Sequence, residues 1–421
     1  MIPAELTAAR VEAAAEVLVG VVHTTPLEHS PRLSQAIGAE VLLKRENRQV
    51  ARSYKVRGAF HGIQGLSEAE RARGVVCASA GNYAQGVAWA CARLGIQGRI
   101  YVPSNTPRQK RQRILALGGP SVKLVVTGSN YDEASMAARE DAESSGAVFV
   151  HPFDDPATIL GQGSVAVEAM AQAAERGLRV TTVVLPVGGG GLASGMSVWL
   201  KERHPAVRII GVEPAGAASM TAALAAGRPV KLPHVDTFVD GAAVGRVGDL
   251  TYDVVSELVD EVVAVPEGAV CTEMLELYQV DGIITEPAGA LASTYALQLA
   301  GTLSADEAVI CIVSGGNNDV SRYAEIVERS LLHEGLRHYF MVTFPQEPGA
   351  LRYFLEEVLS EGEDIVLFEY VKKNNRETGP ALVGVELDRA DRITGLLERM
   401  EKSPMQIEQV PPGSPLFSFF L

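Results

Sequence analysis

Thr181-Thr182-Val183-Val184-Leu185-Pro186-Val187-Gly188-Gly189-Gly190-Gly191-Leu192 is the stretch that decides the fold. An apolar run of strand length enters four consecutive glycines, and Leu192 to Arg203 then carries a helical pattern. A fully apolar strand alternating with helices belongs to a parallel sheet covered on both faces. Four glycines in a row cost more backbone entropy than a plain structural turn requires. At the start of a helix they offer N–H groups that cradle a phosphate. The run is neither G-x-G-x-x-G nor a loop ending in Gly-Lys-Ser/Thr, which sets nucleotide binding aside.

The same rhythm recurs along most of the chain. Apolar runs stand at VLLK (41), GVVCAS (74), RIYVP (99), SVKLVV (121), RIIGVEP (208), EVVAV (261) and AVICIVSGG (308). Helical patterns fill the gaps at Asn82 to Leu94, Thr106 to Leu117, Tyr131 to Ser145 and Pro287 to Ala300. This is an α/β core. Strand-to-helix junctions at Ser79-Ala80-Gly81-Asn82, Gly188 to Leu192 and Ser314-Gly315-Gly316-Asn317 are rich in Gly and Ser, and ligands bind at such carboxyl ends of strands.

Lys55, in Ser53-Tyr54-Lys55-Val56-Arg57-Gly58-Ala59, gives the glycine loop its chemical partner. Most lysines are solvated surface charges, but Tyr54 beside this one offers a face for a flat ring, and Gly58-Ala59 allow close backbone approach. A lysine amine forms a Schiff base with an aldehyde. An aldehyde and a phosphate on one flat ring describe pyridoxal 5'-phosphate. Ser79, Ala80, Gly81 and Asn82 open a helix, so their N–H groups suit a substrate carboxylate, and the Asn82 amide suits a ring oxygen. A hydroxyl at Ser314 hydrogen-bonds a pyridine nitrogen without fully protonating it. The weaker electron sink favours expulsion of a β-substituent over a long-lived carbanion.

Bulk properties narrow the class. With 421 residues the chain divides into two or three domains. Its formal charge of −14 disfavours nucleic acid as a partner. Cys77, Cys91, Cys271 and Cys311 are widely spaced in apolar runs, as reduced core residues of a cytoplasmic protein are. No apolar stretch reaches membrane-spanning length, and the first residues form no signal sequence. The histidines are scattered without metal-ligand spacing, so no metal site is expected. The basic run Arg108-Gln109-Lys110-Arg111-Gln112-Arg113 reads as the wet face of a helix.

Near residue 335 the rhythm changes. A strand (338 to 344), a Pro/Gly turn (Pro345 to Gly349), a helix (Ala350 to Ser360) and a strand (DIVLFEYVKK) come first. A polar turn (Asn374 to Gly379), a strand (ALVGVELD), a helix (Ala390 to Lys402) and a last strand (QIEQV) follow. That order, βαββαβ, is a ferredoxin-like α+β module. The reading is residues 1–335 as a catalytic domain of two α/β subdomains and 336–421 as a regulatory domain.

Together the motifs resemble those of the fold-type II pyridoxal-phosphate enzymes (tryptophan synthase β-like), and most closely the biosynthetic threonine dehydratases, over essentially the whole chain. SYKVRGA is similar to that family's Schiff-base lysine motif, with Lys55 as the lysine. SAGNYAQG resembles the segment whose asparagine, here Asn82, meets the ring oxygen. GGGGL resembles its phosphate loop, and Ser314 in SGGN its pyridine ligand. The resemblance implies dehydration and deamination of L-threonine to 2-oxobutanoate and ammonia, with L-serine as a poorer substrate. Serine racemases have a serine matching Ala80 as a second acid–base group; a methyl there favours dehydration. Relatives with a divalent-cation site use acids in the stretch matching Glu213 to Ser219; Glu213 is present, and Ser219 stands where an Asp is expected. Tyr83 replaces a common histidine. The tail resembles a single ACT-like module, which implies isoleucine as an inhibitor, valine opposing it, and a homotetramer or homodimer. A dehydratase of broader serine/threonine specificity, a β-replacement synthase using the same cofactor, and a catalytically silent amino-acid sensor are the alternatives. Release of ammonia from threonine alone separates dehydration from replacement.

Overall fold

Ten strands lie in the first part of the chain: β1 (Leu27–His29), β2 (Glu40–Arg45), β3 (Val75–Ala78), β4 (Gly98–Val102), β5 (Val122–Val126), β6 (Val148–Phe149), β7 (Val180–Pro186), β8 (Arg208–Pro214), β9 (Glu261–Val265) and β10 (Ala308–Val313). The computed structural model describes residues 2–370, 376–411 and 414, and these fall into two compact units, Met1–Asn318 and Asp319–Leu421. In the first unit the strands form two sheets, ordered β1-β2-β10-β7-β8-β9 and β5-β4-β3-β6. Every pairing is parallel except β1 on β2. All eight apolar runs become strands. The two-residue β6 and the antiparallel edge β1 were not expected, because neither is long enough to carry a periodic signal.

Helix limits follow local chemistry. The expected helix Thr106 to Leu117 is Arg108–Gly118 and begins just after Pro107. The glycine-loop helix starts at Gly191, and the helix from Pro287 ends at Ala296, followed by a 3-10 turn over Leu297–Leu299. The four cysteines are buried.

The helix Lys55–Gln64 is held from two directions. On one side it lies on the helix Pro156–Glu175 with almost no side chain between: a Cβ on Gly161 would stand 2.7 Å from Gly58 Cα. On another, Arg57 reaches into a buried polar cluster. Its guanidinium donates to Glu46 at 2.9 and 2.7 Å and pairs with Glu168 at 2.8 Å. Lys44, on β2, pairs with the other oxygen of Glu168 at 2.7 Å and donates to Thr25 O. Charges this far from water persist only when mutually paired and hydrogen-bonded.

In the second unit β11 (Arg337–Pro345), β12 (Glu363–Tyr370), β13 (Thr378–Leu387) and β14 (Gln406–Gln409) form an antiparallel sheet ordered β12-β13-β11-β14. This is the ferredoxin-like order, with Phe340, Val342, Phe354, Val383, Val385 and Leu396 in its core. The expected helix from Ala350 is α-helical only to Tyr353 and widens to a π-turn over Phe354–Val358, where the Leu359 N–H reaches Phe354 O. The second helix is a 3-10 turn followed by Ile393–Lys402. The end of the strand expected at DIVLFEYVKK, from Val371, and the start of the turn at Asn374 lie outside the described residues. The unit also takes in the helix Tyr323–His333, which precedes the expected boundary at 335. Glu328 on that helix accepts from Arg337 at 2.6 Å and Tyr339 at 2.7 Å, both on β11.

Arg57→Met leaves the Glu46 carboxylate buried without its guanidinium. It should destabilise the first unit by about 3–5 kcal/mol in urea unfolding, and adding Glu46→Leu should recover most of the loss.

Candidate active site

β7 and β10 pair in parallel, with Cys311 opposite Val184, so the segments after their carboxyl ends emerge side by side. The first is the glycine loop and the second is Ser314-Gly315-Gly316-Asn317. An isolated bridge from Ser53 to Gly315, and a bond from Tyr54 N to Ser314 O at 3.2 Å, draw the Lys55 segment to the same place. Tyr54, Lys55, Gly188 to Leu192, Phe153 and Gly241 line a cleft with about 430 Å³ of empty space, continuous in its lining with a smaller pocket reaching Glu286, Ala288 and Ser314. Ser79, Ala80, Gly81 and Asn82 do not line it. They stand at the mouth of β3, where the Ser79 hydroxyl accepts from Gly81 N at 3.3 Å, and join the cleft through Asn82.

The glycine loop has the shape of an anion cradle. Gly190 has φ of +93°, a conformation that a Cβ disfavours. A Cβ on Gly189 would stand 2.3 Å from the Phe153 ring. No side chain caps the helix Gly191–Arg203, so its first N–H groups remain for a ligand. The helix Asn82–Leu94 is also uncapped by a side chain.

Lys55 Nζ donates to Gly241 O at 2.9 Å and lies 6.0 Å from the Tyr54 ring centroid. Burial pushes its pKa below the usual lysine value, against the pull of Glu286 and Asp240. Desolvation of this kind favours the neutral amine, the form that acts as nucleophile and base. Ser314 donates its hydroxyl to Ala288 O at 3.2 Å, which leaves the oxygen's lone pairs unspent. A buried amine, a glycine cradle at a helix start and a hydroxyl beside them suit a ligand carrying an aldehyde, a phosphate and a ring heteroatom.

Glu286 is a functional candidate that sequence reasoning missed. It is buried, accepts from Asn82 Nδ2 at 2.6 Å, and its pKa is pushed up to about 7, first by burial and then by Asp240, with Lys55 opposing. A Cβ on Gly315 would stand 2.2 Å from its Oε1. An acid preceding a proline at a helix start reads as an ordinary N-cap, so Thr285-Glu286-Pro287 gives no local sign of its role. Asn317 was also missed: its amide donates to Asn82 Oδ1 and to Ala51 O, both at 2.8 Å. Lys110, on the run read as a wet face, forms an exposed pair with Asp240 beside the cleft.

Glu213 and Tyr83 both have local partners. Glu213 is engaged as a helix cap, accepting from Met220 N at 2.7 Å and from Thr221 N and Oγ1 at 2.8 Å. Among the described residues no group of three or more His, Cys, Asp or Glu is placed to hold a metal ion. Tyr83 is buried in an apolar core with Phe60, Cys77 and Val87.

Comparison with known proteins agrees with this chemistry. The sequence profile of the family described as pyridoxal-phosphate-dependent enzyme matches residues 19–315, and that of the C-terminal regulatory domain of threonine dehydratase matches 328–420. The L-threonine dehydratase biosynthetic IlvA of Corynebacterium glutamicum is 53% identical over 416 residues, 98% of this chain and 95% of that protein. The protein of the same name from Mycobacterium bovis is 55% identical over 422 residues, 99% and 96% of the two chains. The structure of the processed form of threonine deaminase isoform 2 from Solanum lycopersicum is similar with a TM-score of 0.71 and 37% identity, over 77% of this chain and 93% of that one. The chain belongs to the pyridoxal-phosphate-dependent enzymes and, within them, to the biosynthetic threonine dehydratase family.

Because burial raises Glu286, the folded chain keeps a proton there that the unfolded chain, at the ordinary glutamate value of 4.5, releases. The resulting stabilisation is complete below that value and is lost as pH rises through about 7. Glu286→Gln should therefore remove a decline in apoenzyme stability between about pH 5 and about pH 8; an equal decline in both proteins, followed by urea unfolding, would exclude this carboxylate as its source.

Proposed function

We propose that the protein dehydrates and deaminates L-threonine to 2-oxobutanoate and ammonia, the first step of isoleucine biosynthesis, with L-serine as a secondary substrate. The observation that carries this reading is the desolvated Lys55 amine facing a cleft walled by the glycine loop and Ser314. The names and near-complete coverage of the relatives support it.

When bound, pyridoxal phosphate supplies an aldehyde for the substrate amine and a ring that accepts negative charge from Cα. The chain supplies the rest. Gly188, Gly189, Gly190, Gly191 and Leu192 would hold the cofactor's phosphate, Tyr54 would support its ring, and Asn82 and Ser314 would hydrogen-bond its ring oxygen and ring nitrogen. The segment Ser79, Ala80, Gly81 and Asn82 would hold the threonine carboxylate, with the Ser79 and Gly81 N–H groups first giving up their bonds to Tyr101 O and the Ser79 hydroxyl. The Lys55 amine takes the Cα proton as general base. Loss of the β-hydroxyl as water leaves aminocrotonate, and its hydrolysis yields the oxo acid and ammonia. Ala80 offers only a methyl, so no second proton carrier at that position competes by reprotonating Cα.

The domain reading assigns catalysis to residues 1–335 and regulation to 336–421. Isoleucine is the effector in this reading, the assembly is a homotetramer or homodimer, and the enzyme works in the cytoplasm. Effector control requires binding that differs between two states.

Lys55→Ala should abolish both the cofactor's lysine-bound absorbance band and 2-oxobutanoate formation; retained turnover rejects the role of Lys55. Isoleucine should inhibit the full chain and leave a chain ending at residue 318 unaffected, and inhibition that persists in the shortened chain rejects the tail as its receptor.

A further inference from the structure

His151 belongs to none of the motifs above, yet it stands at the head of a chain of contacts that ends on the glycine loop. It lies between Phe149, at 6.2 Å, and Phe153, at 4.7 Å and nearly perpendicular. Its Nδ1 faces two backbone N–H groups, Asp154 N at 2.8 Å and Phe153 N at 3.4 Å. A backbone N–H only donates, so Nδ1 is an acceptor and the ring proton sits on Nε2. This fixes the turn Phe153-Asp154. The turn then makes two contacts outward. The Asp154 carboxylate accepts from Asp249 N and Thr251 N, both at 3.1 Å, at the start of the helix Asp249–Leu258. Thr251, fully buried, donates its hydroxyl to Gly189 O at 2.6 Å. Phe153 meanwhile packs directly on Gly189 and Gly191, where a Cβ would stand 2.3 and 3.0 Å from it.

We infer that His151 is a positioning residue for the cofactor's phosphate: its Nδ1 holds the Phe153-Asp154 turn, and Asp154, Thr251 and Phe153 hold the glycine loop in its anion-binding shape. This rests on the assignment of Gly188 to Gly191 to the phosphate. The acceptor function exists only in the neutral imidazole, since both ring nitrogens of the cation donate. Burial keeps the pKa of His151 below the ordinary histidine value; Asp154 and Asp155 raise it, and Arg139 on the helix Tyr131–Ser145 lowers it. The loop is therefore held at neutral pH and released on acidification.

The test compares binding of pyridoxal phosphate and of pyridoxal, which has no phosphate, to the full-length apoenzyme. His151→Ala should weaken pyridoxal phosphate about tenfold at about pH 7.5 and leave pyridoxal unchanged. His151→Asn places an amide oxygen where Nδ1 accepts. It should bind within about twofold of the parent, and it should lack the extra loss of phosphate-dependent affinity that the parent shows towards about pH 5. Thr251→Val, which removes the hydroxyl bonded to Gly189 O and, at 3.3 Å, to Gly248 O, should also weaken pyridoxal phosphate alone, and it decides the matter if His151→Ala does not fold. The relay is overturned if Thr251→Val binds pyridoxal phosphate as the parent does, if either variant loses both ligands alike, or if His151→Asn keeps the acid loss. Gly189→Val tests the phosphate assignment separately: undiminished pyridoxal phosphate binding there would overturn that assignment and the relay with it.

Discussion

Desolvating the Lys55 amine beside Glu286 places two groups with opposite responses to the loss of water in one pocket. Loss of water disfavours the charged form of each, lowering the lysine and raising the glutamate towards neutrality. Their mutual attraction works the other way. The balance leaves a lysine that is easily deprotonated and a carboxyl group that titrates near neutral pH, within a hydrogen-bonded set running from Glu286 through Asn82 to Asn317. The rest of the first unit fixes this arrangement in space: the Arg57 cluster grips one side of the Lys55 helix, and backbone contact with Gly161 leaves it no room on another.

What could be read from the residues follows from how local the signal is. Apolar strands in a covered parallel sheet are continuous runs, so β2, β3, β4, β5, β7, β8, β9 and β10 were all legible. The two-residue β6 and three-residue β1 exist through pairing with distant neighbours and leave no periodic trace. The glycine run and Lys55 announce chemistry by residue type, and the structure brings them to one cleft with Ser314. Glu286, Asn317, Gly241 and Lys110 do not announce it. Each acquires its contacts from segments far away in sequence, such as the 204-residue separation between Asn82 and Glu286. Thr251 is hidden in the same way, as an unremarked hydroxyl in the first turn of a helix until the loop from β7 comes to rest against it.

The second unit shows the same contrast. Its order of strands and helices was readable because each element alternates or repeats on its own. The place where it begins was not, since the helix Tyr323–His333 looks from its sequence like the close of the preceding domain. A carboxylate accepting from both Arg337 and Tyr339 ties that helix to β11, so it travels with the regulatory sheet.

The buried cysteines have a practical consequence. Burial raises the Cys91 thiol to about 12, and Cys77 and Cys311 are raised as well. Alkylating and oxidising reagents attack the thiolate, so in the closed molecule these sulfurs are protected twice, by access and by protonation. Their labelling is consequently a clock, and each modified sulfur records an occasion on which the surrounding sheets came apart.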